Sequence, residues 1–348
     1  MTKKLLFITP IFPKSIDEDS VVPFISQFTQ SFAQNTNVEI DVISLMYPFF
    51  SKKYAVGNVN VYPIGSKFKS IFRQIPFLIK AIFKGNSLGK KNKYDGILCF
   101  WYRESALIGW FLSYLLNIKQ IVWLLGQDIN ADNKFIKLLK IPKNQLVLMS
   151  KQQSDLFFKY HNIKIDKIAN VAITRNLFPE LNVNLREIDI LGVGNLGALK
   201  NYSLFIEIIS LLENKNFKAV IIGDGEEMEL LKKLTFELEI SDKIIFLGAL
   251  SHIDVLKFMN NSKIFLHTSK SEGGGTVLQE ALYSGCKVVS TIAIETKIDD
   301  DDFYFSQEKE KLLNKIDFLL SKNLMANRIE NFKMEDSIQV IYDLFYNE

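Results

Sequence analysis

The segment His267–Thr291, HTSKSEGGGTVLQEALYSGCKVVST, carries the clearest local pattern in the chain. An apolar run ends near His267, and a polar loop with three successive glycines follows at Gly273–Gly275. An amphipathic run then predicts a helix with Thr276 as its N-cap, and Thr276 and Gln279 have the spacing of a capping box. A β-branched run closes the segment. The order strand, glycine loop, helix, strand is typical of a parallel α/β fold.

The glycine loop predicts a phosphate site. A loop without side chains, leading into a helix N-terminus, presents backbone N–H groups and a positive dipole end that suit a diphosphate. Two carboxylates bracket this loop, Glu272 just before it and Glu280 in about the first turn of the helix. They could face one ligand from two sides. The alternative is a plain loop with surface acids, but the triple glycine between two strands favours a binding site.

The rest of the chain alternates short β-branched runs with amphipathic ones and predicts two βαβα series. The runs that predict strands begin at Leu5, Glu39, Val59, Gly96, Gln120, Leu146, Asp189, Ala219, Ile244, Ile264 and Lys287. We expect an α/β protein of two Rossmann-like doubly wound domains, 1–175 and 176–330, facing a cleft. A polar, Asn-rich stretch, Thr174–Arg186, is the predicted linker, and a last helix in 331–348 is expected to pack back on the first domain.

Composition excludes several classes of protein. The 348 residues are 48 % hydrophobic and 23 % charged, which is globular and neither disordered nor collagen-like. The 42 basic and 39 acidic residues are too balanced to indicate a nucleic-acid binder. Cys99 and Cys286 lie in apolar runs and predict buried thiols in a reducing compartment. The apolar run Ala106–Ile118 is too short to span a bilayer, so a cytoplasmic location is predicted.

One stretch departs from this balance. Lys52–Lys93 contains ten basic residues and no acidic one, with apolar residues between them. A basic amphipathic helix can lie on an anionic membrane surface. It can equally be a solvated helix whose apolar face packs on the sheet, and both interpretations stay open.

The glycine-loop segment resembles the retaining glycosyltransferases of family 4, which have the GT-B fold. The family signature is matched at Ser269, Glu272, Gly273, Glu280, Ala281 and Gly285. Further landmarks follow in the family's order: VGN at Val193–Asn195, Lys200, IIGDGEE at Ile221–Glu227 and FLGALSH at Phe246–His252. The resemblance is strong over about 188–292 and weaker over the first half, where LLGQDI at Leu124–Ile129 stands out.

The resemblance implies a role for each matched residue. Glu272 and Lys200 would be catalytic, Glu272 on the face of the sugar's anomeric centre and Lys200 against the leaving diphosphate. Glu280 would hold the ribose hydroxyls. The remaining donor-binding residues would be Asn195, Gly223, Gly225, Leu250, Gly273, Gly274, Gly275 and Thr276. Gly126, Gln127 and Asp128 would lie on the acceptor side.

The implied function is transfer of a hexose-type sugar from a nucleotide diphosphate sugar, with retention, to a glycan or lipid-linked acceptor. Bacterial surface polysaccharide synthesis is the expected setting, peripheral to the inner face of the membrane. No metal or other cofactor is expected, since Lys200 would do the work of a metal. His267, at the end of a strand beside the loop, is a candidate ligand contact, while His161 and His252 are expected to be surface or capping residues.

Two departures from the family pattern leave an alternative open. Asn195 stands where the family usually has an arginine, and Leu125 where many relatives have a histidine. Arg175 or Arg103 could supply the missing cation. The alternative is a catalytically weak or inactive donor-binding or partner protein on the same fold.

A dinucleotide-binding interpretation is more distant. Gly192, Gly194 and Gly197 spell GxGxxG after a predicted strand, and Asp224 follows the next strand. That acid lies beyond the usual spacing of about 20 residues. An NAD(P)-dependent oxidoreductase would also leave the EGGGTVLQE segment without a role.

Overall fold

The computed structural model describes residues 3–15, 18, 22–65, 71–184, 186–214, 216–272, 274–296 and 298–347. Its contacts divide the chain into two compact units. Unit 1 comprises Met1–Val171 and Phe332–Glu348, and unit 2 comprises Ala172–Asn331. The chain therefore leaves unit 1 at 171/172 and returns to it at 331/332, against the expected boundaries after 175 and 330.

Unit 1 is built on a sheet whose described strands run in the order β3-β4-β2-β1-β5-β6-β7. All neighbours pair in parallel except β3 and β4, which are antiparallel. Its elements are β1 (Lys4–Ile11), α1 (Pro23–Thr36), β2 (Glu39–Tyr47), β3 (Tyr54–Val56), β4 (Val59–Pro63), α2 (Ile71–Asn92), β5 (Gly96–Phe100), α3 (Glu104–Leu116), β6 (Lys119–Trp123), α4 (Lys134–Leu139), β7 (Leu146–Val147) and α5 (Lys151–His161).

The central strands of unit 1 are apolar along their length because both faces of the sheet are covered. All five residues of β5 are buried, and so are the five residues from Leu5 to Thr9 in β1. α11 (Met334–Tyr346) completes this core from the far end of the chain. Its buried residues include Ile338, Ile341 and Leu344, and the helix contacts α1.

Unit 2 is built on a parallel sheet whose described strands run in the order β10-β9-β8-β11-β12-β13. Its elements are β8 (Ile188–Val193), α6 (Tyr202–Ser210), β9 (Ala219–Ile222), α7 (Met228–Glu237), β10 (Ile244–Phe246), α8 (His252–Asn260), β11 (Ser262–His267), α9 (Thr276–Tyr283), β12 (Lys287–Ser290), β13 (Phe303–Phe305) and α10 (Lys309–Leu320). Because the strands are parallel, the loops that follow β8, β9, β10 and β11 meet at one edge of the sheet.

The stretch predicted as a linker packs within unit 2. The Arg186 side chain is buried, and its guanidinium donates to the carbonyls of Ser262 at 2.6 Å and Ser284 at 2.7 Å. The backbone N–H of Asn182 donates to the side chain of Asn260 at 3.1 Å. Its polar composition therefore reflects anchoring of the chain to unit 2 through hydrogen bonds.

Two further findings concern the cysteines and the length of the helices. Cys99 and Cys286 are both buried free thiols, as predicted. Among the described residues, no helix combines the length and the apolar composition needed to cross a bilayer.

Candidate active site

The loops after β8 and β9 lie backbone against backbone. The Gly194 N–H donates to the Ile222 carbonyl at 3.0 Å, and the Leu196 N–H donates to the Asp224 carbonyl at 2.9 Å. A Cβ added at Gly223 would lie 1.8 Å from the Gly194 carbonyl oxygen, and the φ of Gly223 is 144°. Only glycine fits there. The glycines of the IIGDGEE landmark thus hold two loops together at the sheet edge.

Close packing also explains the first glycine of the GxGxxG pattern. A Cβ at Gly192 would lie 2.9 Å from ring atoms of both Tyr202 and Phe205, which are buried in α6. The Asp224 carboxylate accepts from the N–H of the adjacent Gly225 at 2.8 Å. Both features of the dinucleotide pattern therefore have local structural roles.

A charged cluster forms where the β8–α6 loop meets the end of β11. The Lys200 ammonium forms an ion pair with Glu272 Oε1, and the same oxygen accepts from the Ser269 hydroxyl at 2.8 Å. His267 Nε2 lies 2.9 Å from it as well. The loop is fixed by the Thr268 hydroxyl, which donates to the Lys200 carbonyl at 3.1 Å. The two predicted catalytic residues are thus in direct contact.

The cluster keeps Glu272 ionised. Burial alone would raise the pKa of this carboxyl, but the hydrogen bond from His267 and the charge of Lys200 outweigh it and lower the pKa to about 2. The carboxylate is largely enclosed, since 16 % of its side chain is exposed. At neutral pH the site therefore contains a fixed negative charge beside a fixed positive one.

The start of α9 differs from the sequence prediction. Gly275, in the left-handed region at φ 60°, is the N-cap, and Thr276 is the first helical residue. The capping box of Thr276 and Gln279 does not form, and the Gln279 N–H donates to the Gly275 carbonyl at 3.2 Å. In the part of the chain that the structure describes, the amides of Gly274, Gly275, Thr276 and Val277 have no protein acceptor. N–H groups without a protein acceptor at a helix N-terminus are suited to bind an anion.

Glu280 is the fifth residue of α9, and its carboxylate is held by a histidine. His252 Nε2, at the start of α8, lies 2.7 Å from Glu280 Oε1, and both side chains are mostly buried. The sequence expectation of a surface or capping role for His252 was wrong, because the N-cap of α8 is Ser251. His252 instead connects the β10–α8 loop to α9.

The other residues predicted to bind the donor, and one candidate for the missing cation, have the following environments. Asn195 is exposed, and its amide donates to the Asp224 carbonyl at 3.0 Å. Leu250 is half-buried against the apolar core that contains α8 and α9. Arg175, one candidate for the missing cation, pairs with Glu330 at 2.6 Å. Gly273 lies outside the described residues.

The predicted acceptor-side residues belong to unit 1. Gly126, at φ 141°, precedes a short 3₁₀ turn at Gln127–Ile129, and Gln127 is exposed. Asp128 is buried, and its carboxylate accepts from the N–H groups of Tyr102 at 2.7 Å and Leu125 at 3.1 Å. Burial raises the pKa of Asp128 to about 6, although these backbone hydrogen bonds oppose the rise. Its observed contacts are structural ones.

Sequence reasoning missed the two histidine–glutamate pairs. His267 was a candidate for contact with a ligand; in the structure its Nε2 lies 2.9 Å from Glu272, and its Nδ1 lies 3.2 Å from the Ser290 hydroxyl. A signal was present: two of the chain's three histidines lie near the carboxyl ends of strands that are consecutive in sequence, His252 after β10 and His267 at the end of β11, at the edge where ligands bind in such sheets. Each glutamate of the motif has one histidine partner.

The segment that forms this site matches a known protein family. Residues 174–335 match the model of the glycosyl transferases group 1 family. Unit 2 is a group 1 glycosyltransferase domain. The group 1 domain contains both glutamates, Lys200 and the start of α9, where the four described amides without a protein acceptor lie. Its match to that family leaves the oxidoreductase interpretation without support.

Two similar proteins are glycosyltransferases, and one of them matches over more of the chain than the group 1 segment. An uncharacterized glycosyltransferase of Haemophilus influenzae is 27 % identical over 70 % of this chain and 68 % of its own length. The N-acetylgalactosamine-N,N'-diacetylbacillosaminyl-diphospho-undecaprenol 4-alpha-N-acetylgalactosaminyltransferase of Campylobacter jejuni is 31 % identical over 46 % of this chain and 44 % of its own length.

The fold of the whole chain is that of the GT-B glycosyltransferases. The structure of sucrose-phosphate synthase from Thermosynechococcus elongatus superimposes with a TM-score of 0.73 and 14 % identity. The superposition covers 99 % of this chain and 95 % of that one. The predicted fold class is confirmed.

Proposed function

We propose that this chain transfers a hexose-type sugar from a nucleotide diphosphate sugar to a glycan or lipid-linked acceptor, with retention at the anomeric carbon. The observation that carries the proposal is the contact of Lys200 with Glu272 in a group 1 glycosyltransferase domain where, among the described residues, the four amides from Gly274 to Val277 at the start of α9 lack a protein acceptor. Cation, anion and N–H groups are the three features that a departing diphosphate and a reacting sugar require.

Each group has a proposed role. The Lys200 ammonium carries three N–H donors, of which Glu272 takes one, so others can meet a phosphate oxygen. The amides of Gly274 to Val277 would hold the diphosphate and the sugar hydroxyls. Glu280, fixed by His252, would accept from the two ribose hydroxyls. Because Lys200 and the helix N-terminus neutralise the leaving group, the proposed transfer needs no metal.

The proposed reaction keeps the leaving group and the acceptor on one side of the sugar. The bond from the anomeric carbon to the diphosphate oxygen breaks, and a bond to the acceptor oxygen forms on the same face. The acceptor's proton passes to the departing phosphate oxygen. Positive charge develops on the sugar ring in such transition states. The anionic Glu272 is suited to stabilise it, since its pKa of about 2 keeps it charged.

The acceptor proposal rests on relatives. The Campylobacter protein is named for a diphospho-undecaprenol acceptor, and a relative in Erwinia amylovora is named for amylovoran biosynthesis. We propose a related setting, in which the enzyme works at the inner face of a bacterial membrane on a surface polysaccharide precursor.

The experiment is a ligand and turnover screen. UDP, GDP, ADP and their sugars are tested for thermal stabilisation, since a ligand at 100 times its dissociation constant adds about 2.7 kcal/mol. The stabilising sugar nucleotide is then followed for release of the nucleoside diphosphate, and the anomeric configuration of the product is read by NMR. Tight binding without release, with or without acceptors, would favour the non-catalytic alternative. Inversion at the anomeric carbon would contradict the proposed mechanism.

A further inference from the structure

Helices α2 and α3 of unit 1 lie side by side, in parallel and in close contact. Gly85 and Gly89 of α2 are buried, and a Cβ added to them would lie 2.4 Å from Leu112 and 2.3 Å from Leu116 of α3. α2 contacts β2, and α3 contacts β1, β5 and β6, which follow one another across the sheet. The outer surfaces of the two helices therefore adjoin, and we call them the α2–α3 face.

The α2–α3 face is rich in exposed apolar side chains. Phe83 is 71 % exposed and Tyr114 is 85 % exposed. The other exposed large apolar residues of the two helices are Ile75, Ile79, Trp110, Phe111 and Leu115. Ile75, Ile79 and Phe83 follow one another at intervals of four residues, so they form a row along α2. Exposed apolar side chains concentrated on two adjoining helices are typical of an interaction site.

The composition of α3 separates it from an ordinary surface helix. After Glu104 the helix contains no charged residue. Its exposed side includes a tryptophan and a tyrosine, and Trp110 packs edge-on against Phe111 with ring centroids 5.1 Å apart. Tryptophan and tyrosine are enriched at membrane interfaces because each has an apolar ring and a polar group. At 13 residues the helix is about 20 Å long, which suits lying on a bilayer and not crossing it.

Lysines border the apolar surface. Lys90 and Lys91 are exposed in the last turn of α2, and no described carboxylate forms a salt bridge with either. Lys80 and Lys84 are also exposed, although they contact the protein: Lys80 donates to the Ser51 hydroxyl at 3.0 Å, and Lys84 lies 5.0 Å from the ring centroid of Tyr62. Each lysine near an anionic membrane surface strengthens binding.

We propose that the α2–α3 face docks on an anionic lipid bilayer. The aromatic side chains of α3 are inserted at the level of the headgroups, and the lysines of α2 contact the anionic headgroups. The surface combines exposed aromatic residues with uncompensated positive charge, and an anionic bilayer is complementary to both. The membrane contact therefore depends on α3 as well as on the basic stretch. It does not depend on the proposed sugar transfer, because lipid binding can be measured without any donor.

The test measures binding of the full chain to vesicles of phosphatidylcholine with and without phosphatidylglycerol. The double variant Trp110→Ser with Tyr114→Ser removes two exposed rings and should weaken binding to the anionic vesicles by about tenfold or more. The matched control, Leu230→Ser with Phe236→Ser, removes two exposed apolar residues of α7 in unit 2 and should bind within about twofold of wild type. Unchanged melting temperatures show that all proteins are folded.

Two further measurements separate charge from insertion. Lys90→Glu with Lys91→Glu should weaken binding only to the anionic vesicles, and the loss should shrink as salt is raised. Trp110 is more exposed than the buried Trp123, so lipids brominated in their upper acyl chains should quench wild-type fluorescence more than that of Trp110→Phe.

Three results would overturn the proposal. The first is wild-type protein that does not bind anionic vesicles at about 0.1 M salt. The second is a Trp110→Ser, Tyr114→Ser protein that binds as wild type does. The third is that neither protein binds vesicles, while wild type self-associates in sedimentation velocity and the Trp110→Ser, Tyr114→Ser variant does not. That result would assign the face to a second copy of the chain.

Discussion

The Glu280 carboxylate is fixed by one hydrogen bond to His252 and would accept two from a ribose. Glu280→Gln keeps the shape of this side chain and removes its charge. We expect donor affinity to fall by about 1.5–3 kcal/mol, the range for hydrogen bonds to charged groups. Calorimetric titration with the stabilising nucleotide measures the change. The control is Glu229→Gln on α7, whose side chain is 86 % exposed, and it should leave binding unchanged.

Variants of His252 test whether this histidine positions Glu280 for donor binding. His252→Ala removes the partner of Glu280 and should weaken donor binding by about 0.5–1.5 kcal/mol, whereas His252→Gln retains an N–H donor and should restore part of it. Because His252 acts through Glu280, the double variant with Glu280→Gln should lose little more than Glu280→Gln alone. Additive losses would contradict the positioning role.

Lys200 is expected to act mainly in the transition state, as charge develops on the leaving diphosphate. Lys200→Ala should lower kcat by roughly 100–1000-fold, about 2.7–4 kcal/mol, with a modest change in donor KM. Steady-state kinetics with the identified donor measures this. Asn195→Arg, at the exposed position where the family usually has a cation, should be neutral or faster. Activity of Lys200→Ala within a few-fold of wild type would mean that another cation neutralises the leaving group.

The lowered pKa of Glu272 predicts a pH dependence of stability. The carboxyl binds its proton more weakly in the folded chain, at a pKa of about 2, than when unfolded, near 4.5. Its contribution is therefore fully present above about pH 4.5 and is lost as the pH falls towards 2; over that window it amounts to about 3 kcal/mol. Denaturant unfolding at pH 5 and pH 3 should show a smaller acid loss for Glu272→Gln than for wild type. Equal losses would contradict the assignment.

At the scale of the elements, the β8–α6 and β9–α7 loops are held together by direct backbone contact. Gly223→Ala would place a Cβ 1.8 Å from the Gly194 oxygen, and we expect it to destabilise unit 2 by about 3 kcal/mol or more. Gly248→Ala is the matched control. Gly248 also has a positive φ, of 72°, but its added Cβ would meet no atom within 4 Å, so the cost should be about 1–2 kcal/mol of backbone strain. Denaturant unfolding compares the two variants, and equal costs would mean that the loops can separate.

The elements were largely predictable because buried parallel strands carry β-branched runs. β5, β9 and β12 begin at the predicted residues. β3 (YAV) and β13 (FYF) were missed because each is an edge strand with one buried residue and without a run of β-branched residues. α10 was missed although Leu312, Ile316 and Leu319 have helical spacing. The start of α9 was misplaced because a glycine in the left-handed region can replace a side-chain cap. The histidine–glutamate pair of His252 and Glu280 joins residues 28 positions apart, and such a contact depends on tertiary structure.

At the scale of the whole molecule, α11 belongs to unit 1 although unit 2 precedes it in sequence. Ile341 is fully buried in α11, so Ile341→Ala should cost about 2–5 kcal/mol. In differential scanning calorimetry we expect this loss in the transition of unit 1, while a bound nucleotide still raises that of unit 2. The control Leu211→Ala changes a residue of unit 2 that is 51 % exposed and should shift neither transition by much. A loss confined to the nucleotide-sensitive transition would contradict this division.

The division of unit 1 into two segments also orders events on the ribosome. Residues 172–331 are made before residues 332–348, so the whole of unit 2 is synthesised while unit 1 still lacks α11. At about 5–20 residues per second, unit 2 takes roughly 10–30 s to make. During that time the nascent unit 1 has Phe345 missing from its place beside Gly96 and exposes the surface that α11 will cover. Unit 1 is therefore begun before unit 2 and completed after it, and its nascent form is the one that a chaperone would protect.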